Sequence, residues 1–82
     1  MAKYFFDVRD GDDFAIDEIG LDLPDIDAAL AEAKQSAADI LREAMTDRSE
    51  TGRLAIAVRS GSTVVALVQL TFEAHIIPLP SS

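Results

Sequence analysis

LDLPDIDAALAEAKQSAADILREAM, residues 21–45, decides the fold, because the apolar period changes inside it. Leu21-Asp22-Leu23 is an extended lead-in, since a residue before proline, here Leu23 before Pro24, avoids the α region. From Ile26 onward the apolar side chains recur at three and four: Ile26, Ala29, Leu30, Ala33, Ala37, Ile40, Leu41 and Ala44. Asp25 stands at the natural N-cap, and Asp27 lies in the first turn, where the helix dipole favours negative charge. The spacing predicts one helix from about Ile26 to Met45, roughly 30 Å long. Asp27, Glu32, Lys34, Gln35, Asp39, Arg42 and Glu43 fall mostly opposite the apolar stripe. Much of that stripe is alanine, so the helix can approach a sheet closely while burying little area per turn.

On either side of this segment the period is two. Lys3 to Arg9 puts Tyr4, Phe6 and Val8 on one side and Phe5, Asp7 and Arg9 on the other, a strand with one fully apolar face. Asp10-Gly11-Asp12 is a compact turn in which Gly11 can take a positive φ. Asp13 to Asp17 resumes the alternation with Phe14 and Ile16 expected inward, closing a hairpin. After the helix, Thr46 to Gly52 reads as a polar loop. Arg53 to Arg59 alternates with Leu54, Ile56 and Val58 inward, Ser60-Gly61-Ser62 is a second hairpin turn, and the last strand runs from Thr63 to about His75. Val64, Ala66, Val68, Leu70 and Phe72 form its expected core side.

The expected fold class is therefore α+β: ββαββ, a four-stranded, mainly antiparallel sheet with one long helix packed on one face. The first and last strands, apolar on both sides, are the candidates for the sheet centre, and a parallel crossover through the helix would be right-handed. Residues 1–77 are expected to form a single α+β domain and residues 78–82 a short Pro/Ser tail. One sheet face is then left uncovered, with Phe5, Ala57, Val65 and Leu67 at its centre beside Asp7, Arg9, Gln69 and Thr71. Apolar groups ringed by charges are the pattern of a subunit interface, so a homodimer is expected through this face or an edge strand.

Charge narrows the partners. Of the 15 acidic residues, nine lie between Asp7 and Asp27, with Arg9 the only base among them, and the net charge is −8. No nucleic-acid and no membrane partner is expected; a basic protein partner is, with Asp10, Asp12, Asp13, Asp17 and Glu18 as the acidic patch that would meet it. Cysteine is absent, and the longest apolar run, Val64 to Val68, is far too short for a bilayer, so the cytoplasm is the expected compartment.

The start Tyr4-Phe5-Phe6-Asp7-x-Arg9-Asp10-Gly11, then Asp17-Glu18-x-Gly20, Leu23-Pro24-Asp25, the alanine-rich helix and the closing Leu70-Thr71-Phe72-Glu73 resemble a known family. It is a family of short bacterial proteins classed as a domain of unknown function, and the resemblance covers nearly the whole chain. It implies a fold and no activity. Tyr4, Asp10-Gly11, Pro24-Asp25, Ala28, Glu32 and Ala33 are also similar, more loosely, to the HicB-type antitoxin domain, which binds and neutralises a small basic ribonuclease. The chain departs from that pattern after Pro24-Asp25, where a Pro-Gly-Cys-like continuation is missing. It also shows no DNA-binding segment before Ser82, so operator binding is not expected.

Catalytic and cofactor chemistry finds little support in the residues. Around Asp10-Gly11-Asp12-Asp13-Phe14 a calcium loop would need its glycine sixth and a ligand where Phe14 stands, so no metal site is expected. Adjacent Asp17 and Glu18 on a strand point to opposite faces and do not converge. With no cysteine, no Gly-x-Ser-x-Gly and one histidine, His75, at a strand end, no catalytic residue and no cofactor is expected. The reading is a small acidic interaction module, homodimeric, accessory or antitoxin-like, and not an enzyme. The alternative is a small-molecule or metal-binding protein, or an enzyme, with its site at the dimer seam.

Overall fold

The computed structural model describes residues 1–46, 50–78 and 80. Strands β1 (Ala2–Asp10), β2 (Asp13–Ala15) and β3 (Leu21–Leu23) precede helix α1 (Ile26–Thr46), and β4 (Thr51–Ser60) and β5 (Thr63–Glu73) follow it. The architecture is α+β: one long helix on an antiparallel sheet of five strands, ordered β2-β1-β4-β5 with β3 also paired to β1.

The strand count is one more than the alternation predicts. Leu21–Leu23, expected as a lead-in, pairs with Ala2–Tyr4 of β1, while β2 pairs with Val8–Asp10. Chain 13–23 thus runs antiparallel along β1 in two short pieces separated by residues 16–20. A three-residue alternation is too short to declare itself as a strand beside a proline. Since β3 and β4 are both antiparallel to β1, they are parallel to each other, and α1 is the crossover between them. The crossover therefore joins β3 to β4, not the second strand of a simple hairpin to the third.

The sheet centre is β1 and β4, and β5 is an edge; the expectation that the last strand is central is corrected. Both hairpins are two-residue turns, fixed by the pairs Asp10↔Asp13 and Ser60↔Thr63. Gly11 (φ 63°) and Gly61 (φ 62°) take the first turn position, and among the described residues no residue type but glycine adopts positive φ, which is the type II′ pattern. That tight turn sets a register in which Phe14 lies opposite Arg9, so Phe14 joins the face of Arg9 and not the core. Phe14 and Ile16, expected inward, are both exposed. A bulge at Val58/Arg59 likewise pairs Arg59 with Val64, moving Val64 off the core side to the opposite face.

The core lies where the helix meets the central strands. Tyr4, Leu54, Ile56 and Val58 are buried against Ala29, Ala33 and Ala37, with Phe6, Val8, Leu23, Ile40, Ala66, Val68 and Leu70 packed around them. Large residues on β4 interlock with methyl groups on α1, which is what an alanine stripe permits. The N-cap is as the sequence implies: Ala28 N donates to Asp25 Oδ1 at 2.9 Å. No helix among the described residues is long and apolar enough to cross a membrane. Of the expected polar loop at 46–52, Thr46 belongs to α1 and Thr51 and Gly52 to β4, while residues 47–49 lie outside the described residues. In the expected tail, residues 79, 81 and 82 lie outside them too.

Candidate functional site

The helix covers one face of the sheet and leaves the other open. Alternation along β4 sends Leu54, Ile56 and Val58 to the helix and Arg53, Ala55, Ala57 and Arg59 to the open side. Register then assembles rows across the sheet: Phe5–Arg59–Val64, Asp7–Ala57–Leu67, Arg9–Ala55–Gln69 and Arg53–Thr71. Of the expected dimer face, Phe5 and Ala57 are half-buried, Leu67 is 55% exposed, and Val65 sits at the bulge, 37% exposed.

One end of this face is organised around an ion pair. Arg59 Nε donates to Asp7 Oδ2 at 2.6 Å and Nη2 to Asp7 Oδ1 at 3.2 Å, a bidentate clasp. The same guanidinium donates from Nη2 to the Asp17 carbonyl (2.9 Å) and from Nη1 to the Gly61 carbonyl (2.7 Å), and it lies 4.8 Å over the Phe5 ring. One side chain on β4 thereby ties together β1, the 16–20 segment and the second hairpin turn.

Asp17 completes the arrangement. Phe6 N donates to Asp17 Oδ2 (3.1 Å), Ile19 N and Gly20 N donate to Asp17 Oδ1 (3.0 and 3.1 Å), and Asp17 N donates to Asp7 Oδ1 (3.0 Å). The Asp17 carboxylate stands where a strand partner for Phe6 would be, between the stretches of β1 paired with β2 and with β3. It is a structural acceptor, half-buried, and so differs from the rest of the acidic patch. Asp10, Asp12, Asp13 and Glu18 are exposed, the first three around the β1–β2 turn.

The electrostatics follow from these contacts. The Arg59 hydrogen bonds hold the Asp7 carboxyl below its ordinary value, against burial pushing it up, with Asp17 N helping. Burial alone would raise Asp17; the N–H groups of Gly20, Ile19 and Phe6, with the Arg59 charge, outweigh it and keep it low. The Asp7 hydrogen bond in turn raises Arg59. Alternation in the sequence placed Asp7 on the side of Phe5 and Arg9 and closed the Arg53–Arg59 strand at Arg59. Spacing alone does not show that Asp17 and Asp7 converge, because the signal lies in a loop that brings residue 17 back to residue 6.

Further along the same face the floor dips. Ala55 and Ala57 form an open trough of about 560 Å³ between the ridge Arg9–Asp7 and the ridge Gln69–Leu67, with Arg53 and Thr71 at one end. Arg9 stacks on Phe14, its guanidinium 5.5 Å from the ring centre. His75 Nε2 lies 3.4 Å from Glu73 Oε2 with both groups exposed, and neither residue lines the trough. Among the described residues no three carboxylate or imidazole side chains converge as a metal site.

The profile of the family described as a domain of unknown function, DUF6894, matches residues 3–71, and the chain belongs to that family. No curated protein and no solved structure matches the chain.

Proposed function

With a family that assigns no activity, the chain's own surfaces must carry the reading, and from them we propose a homodimeric protein-interaction module that pairs through β5 and meets a basic partner with its acidic turns. The observation that carries this is the edge strand. β5 spans eleven residues, Thr63–Glu73, and its outer backbone groups have no strand partner among the described residues. Natural sheets protect such edges with lysine, proline or inward charges. Thr63–Glu73 contains none of the first two, and Glu73 is its only charge.

The strand is also complementary to itself. Antiparallel pairing centred on Val68 sets Thr63 opposite Glu73, Val65 opposite Thr71 and Leu67 opposite Gln69 of the second copy, with no like charges facing. Val68 and Leu70, only half-covered by the helix, gain neighbours on the helix side. Because β2 and β5 lie at opposite edges of the sheet, such a dimer presents the Asp10–Asp13 turn at both of its outer flanks. Two acidic turns, each with Glu18 nearby in the chain, suit one extended basic partner or two small ones.

Light scattering at micromolar concentration should return twice the chain mass, and Leu67→Lys, a charge on the pairing edge, should return the monomer with the fold intact by circular dichroism. Amide exchange separates edge from face: edge pairing slows the outward-pointing N–H groups of β5 as concentration rises. A monomer across the accessible concentration range overturns the proposal.

A further inference from the structure

The trough on the open face holds two cations that the ion-pair network does not use. Arg59 is committed to Asp7. None of the ion pairs among the described residues includes Arg9 or Arg53. Both project from the open face, Arg9 directly across from Ala55 and Arg53 two residues along the same strand as Ala55, so they are diagonal neighbours about 7 Å apart at their β-carbons. Among the described residues neither guanidinium is in an ion pair, and the acids that border Arg53, namely Asp10, Asp12 and Glu73, line the adjoining hollow and not the trough.

Their surroundings are those of a ligand site. Gln69 stands across Ala55 and Thr71 across Arg53, adding polar groups at the same end. Ala55, Ala57 and Leu67 supply an apolar bed running away from them. Phe14 braces Arg9 from its outer side by ring stacking, which limits the freedom the guanidinium would lose on binding. The space, about 560 Å³, lies within the range small-molecule sites occupy. Asp7 borders the trough, but both of its oxygens accept from Arg59, which neutralises it.

The geometry points to a binding site for a small organic carboxylate, its head held between Arg9 and Arg53 and its apolar body lying along Ala55, Ala57 and Leu67. A guanidinium fork donates to carboxylate and phosphate oxygens alike. The apolar bed selects between them, since an organic carboxylate has an alkyl body to lay on Ala55, Ala57 and Leu67 and inorganic phosphate has none. One wall of the trough, Leu67, Gln69 and Thr71, belongs to β5, so edge pairing adds a second copy beyond that wall and leaves the floor at Ala55 and Ala57 open.

Hexanoate is a suitable probe at pH 7, titrated into the full chain and followed by amide and arginine side-chain shifts. The expected result is saturable movement of Ala55, Ala57, Gln69 and the Arg9 and Arg53 Nε–H signals, with 1-hexanol and inorganic phosphate giving none. Arg53→Gln and Arg9→Gln should each weaken binding by about tenfold. Ala55→Leu, which fills the trough and leaves both guanidinium groups, should abolish it while the chain still melts cooperatively. Absence of saturable shifts by about 10 mM hexanoate, a limit below which binding is negligible, overturns the proposal. So do shifts that survive Ala55→Leu, or equal binding of phosphate.

Discussion

Asp7 shows how one buried charge can be retained on an otherwise open sheet face. It is 9% exposed, and both of its oxygens are occupied by Arg59, with Asp17 N added on one of them. Removing one member leaves the others desolvated without a partner, which costs more than the pair's net worth. Asp7→Asn should therefore destabilise by about 1–3 kcal/mol, read from denaturant midpoints at pH 7. The pH dependence has a definite sign. Asp7 and Asp17 both titrate below their ordinary value of 3.8 in the folded chain. As pH falls toward that value the unfolded chain takes up protons first, so the stability these groups contribute is full above it and is lost as pH drops through the folded values. Acid unfolding should begin only below about pH 4, and Asp7→Asn should flatten that limb. A variant equal to the parent at pH 7 would remove Asp7 from any structural role.

At the scale of elements, what was legible in the sequence is what periodicity encodes. The helix from Ile26, its Asp25 cap, the two glycine turns and the inward rows Tyr4-Phe6-Val8 and Leu54-Ile56-Val58 all follow from spacing and turn chemistry. The misplacements share one cause, registers and pairings that alternation alone does not fix. Phe14 leaves the core because the turn before it is two residues long. Val64 changes face because a bulge intervenes, and Leu21–Leu23 becomes a strand because Asp17 carries the chain back to β1. Of the site, the open-face rows were readable from alternation, whereas the convergence of Asp7, Asp17 and Arg59 was not. Gly52 belongs with the second group. It pairs with Phe72 across β4 and β5, and a β-carbon built there would overlap the Phe72 ring. Gly52→Ala should cost about 1–3 kcal/mol by displacing that ring, and Phe72→Leu in the same chain should recover part of it. If alanine is tolerated with no change in melting temperature, the ring is not fixed over Gly52. On the helix, Ala33 is fully buried against the sheet, so Ala33→Leu should destabilise by a similar overpacking, about 1–3 kcal/mol.

The whole molecule meets its partners through its charge. Each chain carries −8, and the β5 strand proposed to pair contributes only Glu73 to that total. Two copies approaching through β5 therefore repel at long range with no attraction between charges at the seam to offset it. Added monovalent salt shortens the Debye length from about 30 Å at 0.01 M to about 10 Å at 0.1 M, which removes most of that repulsion. Dimer dissociation should consequently weaken as salt rises. The melting temperature should rise with it, both through mass action and through relief of repulsion among Asp10, Asp12, Asp13 and Glu18 within each chain. Docking of a basic partner on those acidic turns has the opposite sign, since salt screens an attraction there. One salt series thus separates the two contacts: sedimentation of the chain alone should show tighter association at about 0.5 M than at about 0.02 M sodium chloride, beyond which the Debye length is too short to matter. Calcium or magnesium at equal ionic strength should do no more than sodium. Association that loosens with salt would mean charged groups hold the two chains together, and β5, with its one charge, could not be the seam.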